Sequence, residues 1–156
     1  MMMEIERKYL VKDDSYRQGA ISQNRIIQGF INTHPERIVR LRIKVDGGFL
    51  TVKGISNATG TTRFEWETRI KVGEAEDLLQ LCEPLVIDKT RYEVPNGKYL
   101  FEVDEFHGAN EGLTIAEIEL EDEKDVFERP EWLGEEVTGD MRYYNPQLGK
   151  NPFTEW

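Results

Sequence analysis

The sequence holds a single cysteine, Cys82, in 156 residues, which excludes an intrachain disulfide and a cysteine cage for zinc. It has no apolar run near the roughly 18 residues that a membrane span needs. No apolar signal-peptide core follows the opening methionines, so a cytoplasmic protein that stays off the membrane is expected. Basic residues are in deficit: 20 Lys and Arg against 30 Asp and Glu leave a net charge of −10, which disfavours nucleic acid or an anionic membrane as partner. There is no Gly-x-x-x-x-Gly-Lys loop to grip phosphate in the P-loop manner. No internal repeat and no linker divides the chain, and one domain over residues 1–156 is expected, long enough to bury a core.

What the sequence does have is charge in alternation. Charged residues are 32% and hydrophobic ones 38%. From Met3 to Val11, Glu4, Glu6 and Lys8 point one way on an extended chain, and Ile5, Arg7, Tyr9 and Val11 the other. A lone surface strand alternates in the same way. The pattern recurs, however, along the chain. After a short helix near Tyr16 to Ala20, a second strand is expected at Arg25 to Asn32 and a third at Arg37 to Val45, with Arg40, Arg42 and Lys44 on one face. Asp46-Gly47-Gly48 reads as a hairpin turn into strand four, Phe49 to Lys53, where Thr51 and Lys53 are in register.

A loop at Ile55 to Thr62 leads to the longest alternation, Arg63 to Val72, which sets Arg63, Glu65, Glu67 and Arg69 against Phe64, Trp66 and Ile70. A helix is expected near Glu74 to Cys82, where the leucines around Cys82 mark it as a core thiol. Strand six, Ile87 to Val94, aligns Lys89, Arg91 and Glu93. Pro95-Asn96-Gly97 turns into strand seven, Tyr99 to Phe106, which aligns Glu102 and Asp104. Strand eight, Leu113 to Glu121, aligns Glu117, Glu119 and Glu121. A short acidic helix near Glu123 to Glu128, a turn at Pro130 to Gly134 and a helical tail over about 137–156 complete the reading.

Eight short, mostly hairpin-connected strands predict a mainly β fold (α+β), an eight-stranded antiparallel closed barrel with a few flanking helices. The alternative is a half-open sheet with one wet face. The charges favour a hydrophilic tunnel, because the basic pairs Arg40/Arg42 and Lys89/Arg91 lie on strands separate from the acidic pairs Glu4/Glu6 and Glu117/Glu119. Segregated cations and carboxylates around one cavity are what a metal-bound polyanion requires. Without such a ligand, burying so many charges costs several kcal/mol per ion.

The chain resembles the CYTH superfamily, the triphosphate tunnel metalloenzymes. Its E-I-E-R-K fits the E-x-E-x-K signature, and the resemblance continues in order through I-I-Q-G-F-I, V-R-L-R-I, L-T-V-K-G, F-E-W-E, K-T-R, F-E-V-D-E-F, A-E-I-E-L and V-T-G-D-M-R-Y-Y-N. The resemblance implies a tunnel barrel and metal-dependent hydrolysis of a triphosphate, inorganic tripolyphosphate first and nucleoside triphosphates second, with Mg²⁺ or Mn²⁺. It assigns Glu4, Glu6, Glu117 and Glu119, with Asp104, to metal. It assigns Lys8, Arg40, Arg42, Lys53, Arg63, Lys89 and Arg91 to the triphosphate, the first four also to catalysis, and Glu65, Glu67 and Glu102 to further tunnel acids. The tail matches a motif in a helix that packs on the barrel and plugs one end of the tunnel, with Arg142 a candidate to reach phosphate and Tyr143 or Tyr144 to pack at the rim.

One departure is Phe30, which stands where many relatives have a tyrosine. The alternatives are a class IV adenylate cyclase-like or thiamine triphosphatase-like activity, or a non-catalytic polyphosphate- or nucleotide-binding module. Such cyclases carry extra sequence before the signature, and here only Met1 to Met3 precede Glu4. The expected partner is a small-molecule triphosphate or polyphosphate, with no nucleic acid and no membrane, bound by a monomer or homodimer.

Overall fold

The computed structural model describes residues 2–156. The strands are β1 (Met3–Val11), β2 (Ser22–Asn32), β3 (Arg37–Lys44), β4 (Gly47–Gly54), β5 (Thr62–Ile70), β6 (Ile87–Asn96), β7 (Tyr99–Phe106), β8 (Thr114–Glu119) and β9 (Leu133–Glu136); the helices are α1 (Val72–Leu79) and α2 (Asn145–Leu148). Neighbours run β5-β4-β3-β2-β6-β7-β8-β1, and β1 pairs again with β5, which closes an antiparallel eight-stranded barrel. Closure falls on β1. One of its edges takes β8 over residues 6–10; the other is shared between β5 near Glu4 and β9 beyond Tyr9. No helix among the described residues is long and apolar enough to cross a membrane.

Pairing, rather than polarity, sets the strand ends. Strand β2 starts at Ser22, ahead of the expected Arg25, because Ser22 and Asn24 pair with Glu93 and Arg91 of β6. The hairpin between β6 and β7 turns at Gly97, whose φ of 62° suits a residue without a Cβ. The first expected helix is a 3-10 turn at Ser15–Gly19, preceded by Asp13, whose carboxylate accepts from the Ser15 amide at 2.9 Å.

The inward faces of the strands are charged along most of their length and apolar at one end. Ile38 follows Arg40 in parity, Ile87 follows Lys89, Phe106 follows Asp104 and Ile115 follows Glu117. With Phe30 and Leu113 they form a buried apolar layer joined by Val137, Tyr143 and Leu148 from the chain after β9. One barrel end is therefore sealed by oil, and the charged interior is a blind cavity. Outside, Tyr9, Tyr92, Phe101, Val103, Ala116 and Ile118 form a second core under Tyr16, Trp132 and Leu133. Each such side chain, fully buried, contributes about 1.5–3 kcal/mol.

Two expectations need correction. No helix forms at Glu123 to Glu128: residues 121–130 run irregularly after a turn. The Asp125 carboxylate accepts from the Glu121 and Asp122 amides, Asp122 accepts from Lys124, and Phe127 is drawn edge-on against Phe101 at 5.7 Å. Aspartates that bond the local backbone compete with the helix, and the Phe127 anchor decides the outcome. The stretch from Pro130 to Gly134 turns as expected, but then enters β9, which has no alternation to announce it. Gly134 allows that pairing, since a Cβ there would meet the Leu10 carbonyl oxygen at 2.9 Å. The tail is a string of short turns: 3-10 at Met141–Tyr143, α2, and 3-10 at Phe153–Glu155.

Helix α1 covers the outer face of β2 to β4. A Cβ on Gly29 would lie 2.9 Å from Leu79 Cδ2 and 3.0 Å from Cys82 Cβ, so the close approach requires glycine. Gly29→Ala is expected to cost about 1–3 kcal/mol in urea unfolding by overpacking. Gly73→Ala, whose new methyl would meet nothing within 4 Å, is expected to stabilise by up to about 1 kcal/mol through helix propensity.

Candidate active site

The strands' inward alternation builds a cavity of about 190 Å³ whose lining is entirely charged: Glu4, Glu6, Arg40, Arg42, Lys44, Glu65, Glu67, Arg91, Glu102, Glu117 and Glu119. Strands β3 and β4 form a cationic wall. Arg40 and Arg42 follow each other in parity on β3, and Lys53 lies beside them on β4. The Arg42 guanidinium donates to Glu67 Oε2 at 2.9 Å, and the same oxygen accepts from the Thr51 hydroxyl at 2.6 Å. The Nε atoms of Arg40 and Arg42 are buried and donate to nothing. Buried donors without acceptors are rare, and here two sit side by side in a cavity. Burial, with Arg42 alongside, pulls the Arg40 guanidinium down to about 10. Burial also pulls Lys53 down, with Arg40 and Arg63 adding repulsion, although its ammonium lies 3.2 Å from Glu65 and 3.4 Å from Glu4. Arg63 reaches Glu4 at 3.6 Å.

Across the cavity, the carboxylates divide into two sets. Asp104, Glu117, Glu65 and Glu67 are held by cations. Asp104, 1% exposed, receives both Arg91 Nε at 2.7 Å and Lys89 Nζ at 2.9 Å. Glu117 takes the Lys8 ammonium at 2.6 Å. Burial alone would raise all four. For Asp104, Arg91 and Lys89 reverse this, and for Glu117 Lys8 does, so both stay below the usual range. Glu65 is lowered by its hydrogen bond with Glu4 and by Lys53, and Glu67 by the Thr51 hydroxyl and Arg42.

Glu4, Glu6, Glu102 and Glu119 behave oppositely, although Glu4 meets Lys53 at 3.4 Å, Glu6 meets Lys8 at 3.3 Å and Glu102 accepts from Arg91 at 2.9 Å. Burial raises each of them, and neighbouring carboxylates push further: Glu117 on Glu6, Asp104 on Glu102, and Glu4 on Glu119. The cations respond in kind. Burial lowers Lys8, but Glu117 and Glu6 more than reverse it. Arg91 likewise ends above its ordinary value through Asp104 and Glu102, whereas burial takes Lys89 down to about 8.

The structure thus brings Glu4, Glu6, Arg40, Arg42, Glu65, Glu67, Arg91, Glu102, Glu117 and Glu119 together on one cavity. Lys8, Lys53, Arg63 and Lys89 stand behind that lining as partners of its acids or of Asp104. Asp104 itself is occupied by two cations and does not face the cavity. Arg142 is placed elsewhere: it is 61% exposed, paired with Asp140 at 2.7 Å and stacked over Tyr143 and Trp156. Asp140 caps the short turn by accepting from the Arg142 amide, and this local pairing turns the guanidinium away from the barrel.

Sequence reading gave no role in the site to three groups here, although it placed Lys44 on the charged face. Lys44 lines the cavity on the face of Arg40 and Arg42. Gln28, fully buried, is the lone polar residue within I-I-Q-G-F and donates to Asn145 Oδ1 at 2.6 Å. Asn145 lies in the tail motif that drew attention to Arg142, and its Oδ1 also accepts from Lys89 Nζ at 3.0 Å.

An antiparallel eight-stranded barrel enclosing a cavity with a wholly charged lining is a tunnel-type β protein. The chain belongs to the CYTH domain family, whose family model matches residues 2–147. It is 49% identical over 157 residues to an inorganic triphosphatase of Acetivibrio thermocellus, covering 98% of this chain and 97% of that one. It is 38% identical to an inorganic triphosphatase of Nitrosomonas europaea, covering 94% and 97%. The crystal structure of an inorganic triphosphatase superposes with a TM-score of 0.67 at 34% identity, over 96% of this chain and 95% of that one. Membership of this family implies a divalent-metal requirement.

Asp104→Asn is expected to cost about 3–5 kcal/mol in denaturant unfolding, because Lys89 and Arg91 lose a shared buried counter-charge. The two carboxylate sets also oppose each other with pH. Glu4, Glu6, Glu102 and Glu119 stabilise the fold below the ordinary glutamate value of 4.5 and lose that contribution as pH rises through their higher folded values. Glu65, Glu67, Asp104 and Glu117 stabilise above their ordinary values and lose it as pH falls. In EDTA, the melting temperature is expected to rise as pH falls from neutral towards 4.5 and to fall again below it, with Glu119→Gln flattening the first limb.

Proposed function

We propose that this protein hydrolyses a triphosphate in the barrel cavity, with inorganic tripolyphosphate as its substrate. The observation that carries this reading is the cavity's lining: every side chain is charged, two arginine Nε donors are unmatched, and four carboxylates repel one another on the opposite wall. An unsubstituted polyphosphate has acceptors for the first wall. The lining offers no apolar or aromatic shelf to a base or another organic substituent. The curated relatives named as inorganic triphosphatases support the same reading.

Glu4, Glu6, Glu102 and Glu119 supply hard oxygen donors with surplus negative charge, which fits Mg²⁺ or Mn²⁺. Among the described residues no group of three acids forms a ready-made cage. When bound, such a cation neutralises phosphate charge and activates water. Arg40 and Arg42 donate to the phosphate oxygens and stabilise charge as it develops on the leaving oxygen. Lys53 and Lys8, fixed by Glu4, Glu65, Glu6 and Glu117, set the positive field without leaving their acids. The apolar layer at the sealed end keeps bulk water from the rear of the chain of phosphates.

Phosphate release is expected from tripolyphosphate with Mg²⁺ or Mn²⁺ and to vanish in excess EDTA; full activity in EDTA would sink the mechanism. ATP and thiamine triphosphate are expected to be poorer substrates, and formation of cyclic nucleotide with pyrophosphate would move the reading to a cyclase. Arg40→Ala and Glu119→Gln are each expected to lower turnover by about 10²–10³. The fold is expected to survive both, because each substitution relieves repulsion in the free cavity. Unfolding of the Arg40 variant would make that arginine a structural partner of Glu67.

A further inference from the structure

Two neighbouring residues of the tail touch three cations that come from three different strands. The Tyr144 ring lies under Lys8 Nζ of β1, 5.2 Å from the ring centroid, and under the Arg63 guanidinium of β5 at 5.8 Å. Asn145 Oδ1 accepts from Lys89 Nζ of β6 at 3.0 Å and from Gln28 Nε2 of β2 at 2.6 Å. Tyr144 is itself fixed from outside. Its hydroxyl donates to the Gly60 carbonyl at 3.4 Å, and Gly60 packs so closely on Gly139 that a Cβ there would lie 2.6 Å from the Gly139 Cα. The tail is therefore keyed to the loop before β5, and its two contact side chains have little freedom.

We propose that Tyr144 and Asn145 are positioning residues, which hold Lys8, Arg63 and Lys89 as uncharged partners and so leave the cations' charge to act on the triphosphate. This rests on the function proposed above. Buried ammonium and guanidinium groups need partners, and the barrel already provides carboxylates for some of them: Glu117 and Glu6 for Lys8, Glu4 for Arg63, Asp104 for Lys89. Each further carboxylate would secure the cation and cancel its field in the cavity. An aromatic face and an amide oxygen secure it and cancel nothing. Asn145 shows the distinction best: an aspartate of the same shape would accept from both Gln28 and Lys89, and would start α2 as well, yet the residue is neutral.

The test is therefore the isosteric change. Asn145→Asp is expected to melt at or above the wild-type temperature, because both donors keep their acceptor and Lys89 gains a counter-charge. Its KM for inorganic tripolyphosphate is expected to rise about tenfold, with a smaller change in kcat, because the added carboxylate opposes the polyanion. Tyr144→Phe, which keeps the ring, is expected to retain wild-type KM, and Tyr144→Leu to raise it severalfold. Wild-type KM in both Asn145→Asp and Tyr144→Leu would overturn the proposal. So would losses in those variants that track only a lowered melting temperature and the folded fraction it leaves, which would make the two residues structural. If wild-type protein failed to hydrolyse tripolyphosphate, the functional reading would fall and this proposal with it; active wild type with unaffected variants removes the proposal alone.

Discussion

Everything in this barrel depends on how Asp104 is shared. Taking a carboxylate, a lysine and an arginine out of water together is tolerable only if their geometry is close to ideal, and both oxygens of Asp104 are engaged, by Arg91 Nε and Nη and by Lys89 Nζ. That knot joins β6 to β7 from the inside, where most small barrels put leucine and valine. Once it is tied, the apolar side chains of the same strands face outward, and the protein needs outer cover. It has α1 on one flank and the strap of residues 121–133 on the other.

The distribution of pairing inside the cavity is uneven, and the unevenness separates structure from chemistry. Glu117 with Lys8 and Asp104 with Arg91 and Lys89 are satisfied pairs, stable without any ligand. Arg40 and Arg42 each keep an Nε without an acceptor, and Glu4, Glu6, Glu102 and Glu119 stay raised although the first three also meet a cation. Each wall is strained alone, and the strain on each is of the sign that a cation–polyphosphate complex relieves.

The fold was legible wherever the period-2 pattern carried charge, because charge at i, i+2 and i+4 on successive strands has few explanations. Arg40 with Arg42, or Glu117 with Glu119, could be assigned to a face without coordinates. Legibility failed where the partner, not the sequence, decides the conformation. β9 exists because β1 has a free stretch of edge beyond Tyr9, and G-E-E has no pattern of its own. Residues 121–130 have helix-forming glutamates and lysine, yet Phe127 and the aspartate bonds to the local backbone prevail. In the site, the placing of Arg142 has the same cause: a cation in a phosphate-binding motif invites a phosphate role, and only the structure shows it paired with Asp140 outside the cavity. Asn145, three residues on, is neutral and gave no such signal.

The placement of β1 has a consequence for how the chain is made. Synthesised early, β1 forms its two main pairings with strands far along the chain, and its Lys8 meets Glu117 across 109 residues of sequence. Strands β2 to β5 can form as a meander of neighbours and β5 can take the first residues of β1, but the stretch of β1 that carries Glu6 and Lys8 gains its partner only once β8 has been made. Barrel closure is therefore a late, long-range event, which places this protein among the slower folders for its size. The nascent chain holds its most reactive strand as a loose end until the last turn of the barrel is available.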